Sequence, residues 1–305
     1  MSSDCIIRNY HPDDFNTLVQ LKNEAASLAA DGRYLSPQAV CDTLGRPNYT
    51  PEQDLFIAEI SGALVGYLDI TDEARIGRVV LECLVLSEHR QQGVSEGLYR
   101  QALPRMKALG AKVAHVNVHE DNTLVRLVLE KMGFNSIRRF YELEIDLDII
   151  TESSISTNFP IHPLQAGEEA TLTELQNLAY AGSWGYNPNT VEEIGYTINT
   201  AGNATEGICL AQDQDRPVGY FWVRIEHDKQ GKHRGRVSML GTDPDYRGRG
   251  IGRELLLAGL SFLKSRGPRV AQLTVDSENL VAESLYRSIG FTRIDSSLWY
   301  EKVLY

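Results

Sequence analysis

Two stretches decide the fold: Arg90-Gln91-Gln92-Gly93-Val94-Ser95 and Arg247-Gly248-Arg249-Gly250-Ile251-Gly252. They lie 157 positions apart, and the same offset carries Gly110 onto Gly267, Val118 onto Val275, Asn122 onto Asn279 and Gly133-Phe134 onto Gly290-Phe291. From Arg90 to Phe134 the correspondence needs no gap. Upstream, Val65-Gly66-Tyr67 matches Val218-Gly219-Tyr220 at an offset of 153, so the second copy has a longer hairpin after it. Chance similarity scatters its matches and its offsets, whereas a tandem duplication keeps them in phase.

A chain of 305 residues suits two domains of this size. The Ser/Thr-rich stretch from Asp148 to Pro160 separates the copies, so the expected layout is an N-terminal domain 1–147, a linker 148–159 and a C-terminal domain 160–305. Strands and helices alternate within each copy, an α/β pattern. Asp13 to Ala30 carries Phe15, Leu18, Leu21, Ala25 and Leu28 at helical spacing. Strands are predicted at 55–60, 63–70 and 79–86, and again at 208–212, 218–225 and 236–241. Gly252 to Arg266 reads as a helix with the stripe Leu255, Leu256, Leu260 and Leu263, ended by Gly267-Pro268. A strand at 270–275 and a helix from about Glu278 to Ile289, capped by Asp276 or Ser277, complete the copy.

Composition narrows the function. Thirty Lys plus Arg against 41 Asp plus Glu give a net charge of −11, and each half holds 15 of the basic residues. Such a surface repels nucleic-acid phosphates. Cys5, Cys41, Cys83 and Cys209 form no CxxC pair and no disulfide framework. No signal peptide and no apolar run long enough to span a membrane is found, so a cytoplasmic protein is expected. His115 and His119 would share one face of a strand without helical ligand geometry, so no metal is expected.

Three features of the second copy carry chemistry. The loop Arg247 to Gly252 joins a strand to a helix, where glycines let the backbone approach a ligand and free N–H groups suit phosphate oxygens. Arg247, Arg249 and Arg253 add positive charge there. The third position after Gly250-Ile251-Gly252 is Leu255, which excludes a dinucleotide fingerprint, and GxxxxGK[ST] is absent. A flexible surface turn would leave the weaker copy at Arg90 unexplained. Asn279 and Tyr286, seven apart, would lie on one helix face two turns apart. Gly241, inside a strand that ends at Thr242-Asp243-Pro244, suggests a bulge or a close backbone contact with a ligand.

Taken together, Asp243-Pro244, Arg247 to Gly252, and Asn279 with Tyr286, Gly290 and Phe291 resemble the GNAT N-acetyltransferase superfamily, in its tandem two-domain form. The resemblance implies two mixed sheets whose central parallel strands splay apart around pantetheine. It implies acetyl-CoA as co-substrate, with Leu240, Gly241 and Thr242 pairing with the pantetheine arm and Gly248 to Gly252 holding the pyrophosphate. A backbone N–H near Leu240 would stabilise the tetrahedral oxyanion, and Tyr286 would protonate the departing thiolate. The implied reaction is direct attack by a primary amine, small-molecule or peptide, on the acetyl thioester.

The first copy departs from this pattern. Leu129 stands where Tyr286 stands and Ser95 replaces the last glycine, so this half is expected not to catalyse, although Arg90, Gly93 and Ser95 can still bind CoA. Glu82 lies mid-strand, where family members often carry an acidic group. No general base is evident in the second copy: Arg236 occupies the place where tandem members usually carry a Glu, leaving Glu226 or His227 as candidates. Trp184, Tyr186 and Trp222, with Glu226, are expected to line the acceptor site. The alternatives are a non-catalytic CoA-binding module and a protein N-terminal acetyltransferase.

Overall fold

The computed structural model describes residues 5–28, 34–150, 159–200, 205–227 and 231–304. In chain order the elements are β1 (Cys5–Asn9), α1 (Phe15–Leu28), α2 (Pro37–Leu44), α3 (Pro51–Asp54), β2 (Leu55–Ile60), β3 (Ala63–Glu73), β4 (Arg78–Val85), α4 (Val94–Ala108), β5 (Val113–His119), α5 (Thr123–Lys131) and β6 (Asn135–Asp146). The second run is β7 (Ile161–Pro163), α6 (Glu169–Tyr180), α7 (Val191–Ile198), β8 (Ile208–Asp213), β9 (Arg216–His227), β10 (His233–Thr242), α8 (Ile251–Ser265), β11 (Val270–Asp276), α9 (Leu280–Ile289) and β12 (Thr292–Val303). Apart from the one-turn α3, the two runs repeat one order of elements, as a duplication requires.

Two compact units result, Met1–Phe140 with Asp295–Tyr305, and Tyr141–Ile294. The boundaries fall inside β6 and β12, not at the Ser/Thr-rich stretch, so the expected layout of 1–147, 148–159 and 160–305 differs from the observed units. Residues 151–158 of the expected linker lie outside the described residues. The reason for the difference is one long-range pairing: Ser297–Val303 of β12 runs antiparallel to Val113–His119 of β5. A partner that far along the chain leaves no local change of composition to read.

In the first unit the strand order is β1-β2-β3-β4-β5-β12, and in the second β6-β11-β10-β9-β8-β7. Each sheet is mixed. The parallel pair β4–β5 is registered only from Arg78–Val113 to Val80–His115, and β10–β11 only at Gly235–Ala271 and Arg236–Gln272. Beyond Arg236, β10 stays paired to β9 as far as Thr242. One edge of its C-terminal half therefore faces a gap, at the strand ends where α/β folds receive ligands.

Side-chain alternation divides the second unit into two layers. Phe221 and Val223 of β9 face α8, where Leu255, Leu256, Leu260 and Leu263 form the buried stripe. Tyr220 and Trp222 face the other way, into α6 and α7 with Leu172, Leu175, Ile194 and Ile198. The first unit repeats the plan, Leu98, Ala102 and Met106 of α4 on one face and Leu18 and Leu21 of α1 on the other.

Beside Leu21, on the buried stripe of α1, stands a charge. Lys22 is 4 % exposed. Its Nζ donates to Asp69 and to Glu82, each at 3.2 Å. Tyr49 donates to Asp69 at 2.9 Å, Arg46 reaches the same carboxylate at 3.3 Å, and the Tyr67 hydroxyl donates to Glu82. Burial works against both charges of the Lys22–Asp69 pair. Even so, Glu82 and Asp69 hold the Lys22 ammonium above its ordinary value, and Lys22 and Arg46 hold the Asp69 carboxyl below the usual range.

Candidate functional site

The site of the second unit begins at a bulge in β10, between Val237 and Met239. The extra residue, Ser238, leaves its hydroxyl buried without a partner among the described residues. A bulge bends its strand locally and re-aims the residues beyond it. Sequence reasoning placed this irregularity at Gly241. Gly241 is instead small because its own protein crowds it: a Cβ there would stand 2.3 Å from Tyr220 Cε1 and 3.0 Å from Ala179 Cβ. Leu240 has both backbone polar groups engaged by one side chain. The Tyr180 hydroxyl donates to the Leu240 carbonyl at 3.0 Å and accepts from the Leu240 N–H at 3.4 Å.

After Thr242 the chain turns through Pro244–Tyr246, with Asp243 accepting from Asp245 N–H and from Arg216. Gly248 and Gly250 come next at φ of +78° and +87°, and a Cβ at either would meet nothing within 4 Å. Gly250 is the N-cap of α8, and no side chain caps that end. Its first-turn N–H groups are left for an outside acceptor. Elsewhere the chain does supply caps: Asn279 accepts from Ala282 N–H at the start of α9, and Asn122 from Val125 N–H at the start of α5.

Asn279 is thus the cap of α9 and stands just outside the helix that carries Tyr286, which corrects the expectation that the two share one helix face. The helix begins at Leu280, not near Glu278, and neither Asp276 nor Ser277 is its cap. The three arginines have partners within the protein. Arg247 donates to the Ala179 carbonyl at 2.6 Å, Arg249 to the Asp245 carbonyl at 3.3 Å while lying over the Tyr246 ring, and Arg253 to Ser288 Oγ at 2.9 Å.

Tyr286 stands edge-on to Phe291, ring centroids 5.8 Å apart. Its hydroxyl has no hydrogen-bond partner among the described residues. Burial first, and then the neighbouring Tyr180, push its phenol above the ordinary value. Tyr180 stacks on Tyr186 at 5.2 Å, and the Tyr186 hydroxyl donates to Asn177 Oδ1 and accepts from Asn189. The structure therefore gathers Leu240, Tyr286 and Tyr180, the last unmarked by any motif. Comparing the two copies along their first helices would have exposed it, because the helix end of the first copy carries no tyrosine.

The acceptor residues divide. Trp222 is buried in the apolar layer against α6 and α7, on the same face of β9 as Tyr220. Tyr186 and Trp184 are half-buried in the loop after α6. Glu226 is held by Arg224 at 2.7 Å, and His227 lies edge-on to His233. Arg236 is paired with Glu142 of β6 and with Thr274.

The first unit keeps the loop but changes its chemistry. Gly93, at φ +79°, is an N-cap of α4 without a side-chain cap. Gln91 takes φ +63° where the second copy has Gly248, and Arg90 donates to the Val85 carbonyl at 3.1 Å. Keeping this loop shape with a side chain costs roughly 1–2 kcal/mol. Gln91→Gly is expected to raise stability by about 0.5–1 kcal/mol after the entropy glycine adds to the unfolded chain. Urea unfolding at neutral pH measures it, and an unchanged or lower midpoint would show the loop unstrained. By register, Cys83 occupies the place of Leu240, since Leu68–Cys83 matches Phe221–Leu240. Leu129 is buried in the core, and Glu82 belongs to the Lys22 cluster. His115 bonds Glu301 and Arg78, and His119 bonds Asp295.

Comparison with known proteins agrees with this geometry. The family model described as "Acetyltransferase (GNAT) family" matches residues 21–134 and 170–291. Mycothiol acetyltransferase of Amycolatopsis mediterranei is 28% identical over 282 residues, spanning 86% of this chain and 91% of that one. Its counterpart in Stackebrandtia nassauensis is 29% identical over 290 residues, spanning 92% of each chain. Among solved structures, a GCN5-related N-acetyltransferase from Sphaerobacter thermophilus matches with TM-score 0.75 at 20% identity, covering 100% of this chain and 97% of that one. A tandem GNAT protein from the clavulanic acid biosynthesis pathway matches with TM-score 0.72 at 15% identity, covering 99% of both.

Proposed function

From the chain's membership of the acetyltransferase (GNAT) family, whose model matches both copies, we propose that its second unit moves an acetyl group from acetyl-CoA to the primary amine of a small molecule. Family membership makes it an acyl-transfer enzyme. The single observation that carries the assignment to the second unit is the convergence of the uncapped, glycine-bounded start of α8 with Tyr286 and the gap-facing edge of β10. The open space over Gly248 and Gly250 fits a diphosphate, and the α8 amides, with Arg249 and Arg253 close by, are the groups to hold it.

The pantetheine arm would lie along Leu240 to Thr242, delivering the thioester carbonyl to the Leu240 N–H. As the amine attacks, negative charge grows on that oxygen, and a fixed backbone donor stabilises it; losing such a donor typically costs about 10²–10³ in rate. Collapse of the tetrahedral species breaks the C–S bond. Tyr286, protonated well past neutrality, would then donate toward the sulfur. Its raised value makes it a weak acid, so its contribution is foremost a hydrogen bond to the developing thiolate.

The amine proton requires another acceptor. Glu226 and Glu142 are each tied to an arginine, and His227 lies outside the group of Leu240, Tyr286 and Tyr180, so bulk water is the expected final acceptor. A small amine, as opposed to a peptide, is supported by the names of the mycothiol acetyltransferases. No helix among the described residues is long and apolar enough to cross a membrane.

Purified protein, acetyl-CoA and a panel of amino sugars, amino acids and N-terminal peptides, read by thiol release, test the proposal. Turnover confined to small amines is expected. Saturable CoA binding without turnover on any amine would identify a binding module instead.

A further inference from the structure

Leu240 presents its N–H and C=O on one edge of β10, and the Tyr180 hydroxyl occupies both. The amide bond to it is stretched, at 3.4 Å, and so is readily surrendered. The neighbours of Tyr180 set where its ring lies, so only a small shift opens the 3.4 Å contact. Tyr180 ends α6, and its ring lies on Tyr186 at 26° between planes. Asn177 and Asn189 hold the Tyr186 hydroxyl from both sides, and Asn177 also accepts the Asn189 N–H at 2.9 Å. One residue before Tyr180, the Ala179 carbonyl accepts from Arg247, the first residue of the glycine loop. The helix end that carries this phenol is thereby tied to the proposed diphosphate site.

A backbone amide on a strand edge beside a gap must find an acceptor, because leaving it unpaired costs about as much as a lost hydrogen bond. Water is the usual answer. Here a side chain supplies the oxygen. We propose that the Tyr180 hydroxyl is a placeholder for the acyl oxygen: it keeps the Leu240 N–H satisfied until a thioester arrives, and it withdraws when the thioester carbonyl takes that amide. This rests on the acyl-transfer reading above and adds to it a positioning residue that discriminates substrate from product. A thioester has a carbonyl oxygen to offer Leu240. Free CoA has none, so Tyr180 can return to Leu240 while the product is still bound.

Competition of this kind lowers the apparent affinity for acetyl-CoA by the fraction of time the phenol stands aside, and it leaves the affinity for CoA untouched. Tyr180→Phe keeps the ring and its stack on Tyr186 and removes the competing oxygen; it also takes the donor from the Leu240 carbonyl, a loss common to both ligands. Calorimetric titrations of the wild-type chain and this variant, each with acetyl-CoA and with CoA, form the test. The variant is expected to bind acetyl-CoA roughly threefold to tenfold more tightly, the worth of one neutral hydrogen bond, with CoA binding unchanged. Unchanged or weaker acetyl-CoA binding overturns the placeholder, and so does an equal gain for both ligands, which would mean general loosening of the cleft. Should the variant fail to fold, the wild-type Leu240 amide resonance decides: acetyl-CoA must move it and CoA must not. No heat with any CoA derivative in either protein would instead remove the acyl-transfer reading itself.

Discussion

Replacing Tyr286 by phenylalanine is expected to lower turnover by about 10–10², the usual worth of a hydrogen bond to a charged group, while acetyl-CoA affinity stays where it was. The residue contacts Phe291 through its ring, which phenylalanine preserves, so the change isolates the hydroxyl. The direction of its shift sets its pH signature. Burial and the neighbouring Tyr180 raise the phenol, so the protonated form persists to higher pH than in a free tyrosine, whose value is about 10. Rates should therefore climb with pH as the amine loses its proton, with no descending limb from Tyr286 near neutrality. A variant with full turnover, or a wild-type rate that falls between pH 7 and 9, would place the acid elsewhere.

The second large effect lies in the other unit. Lys22→Met is expected to destabilise the protein by about 3–5 kcal/mol, because it removes one partner of a buried pair and leaves a carboxylate uncompensated. Asp69 would keep only Arg46 and the Tyr49 hydroxyl. Adding Asp69→Asn to the same chain should restore much of the loss, since the stranded charge goes with it. Equilibrium unfolding in urea measures both variants, and a single-variant loss below about 1 kcal/mol would mean that water reaches the pair.

The sign of the pH dependence is fixed by the two shifts. The Asp69 carboxyl is lowered, so its stabilisation is full above about pH 3.9 and disappears as acid passes its folded value. The Lys22 ammonium is raised, so its contribution is full below about pH 10.4 and is lost only as alkali passes its own folded value. Between those limits the Lys22–Asp69 pair is indifferent to pH.

Periodicity and turn chemistry made most of the fold legible. The stripe Leu255, Leu256, Leu260 and Leu263 located α8 to within a residue at each end, and Gly267-Pro268 marked its end. The loop from Arg247 to Gly252 was visible because glycine is needed where φ is positive and the space above must stay open. What escaped was whatever depends on a distant partner. Asn279 was placed on the face of the last helix and is its cap, because spacing cannot distinguish an N-cap from a first-turn residue. The depth at which Trp222 is buried was not legible, since a run apolar on both faces hides which side packs against which helix. Lys22 drew no notice because a lysine on an apolar stripe ordinarily reaches for water, and its carboxylate partners are 47 and 60 residues away. Tyr180 belongs to no motif. It matters only because the end of α6 comes to rest on Leu240.

The pairing of Ser297–Val303 with Val113–His119 has a consequence during synthesis. A ribosome delivers residues in order, so the first unit is made with one flank of β5 uncovered. At typical elongation speeds the wait for its partner lasts roughly ten seconds or more. Throughout that interval the nascent chain displays a bare β-edge carrying Ala114, Val116 and Val118, a ready template for mispairing with any neighbouring strand. This edge is thus most exposed at the molecule's birth, and rapid translation of the residues between the two strands, or a chaperone that screens the edge, would shorten or cover that exposure.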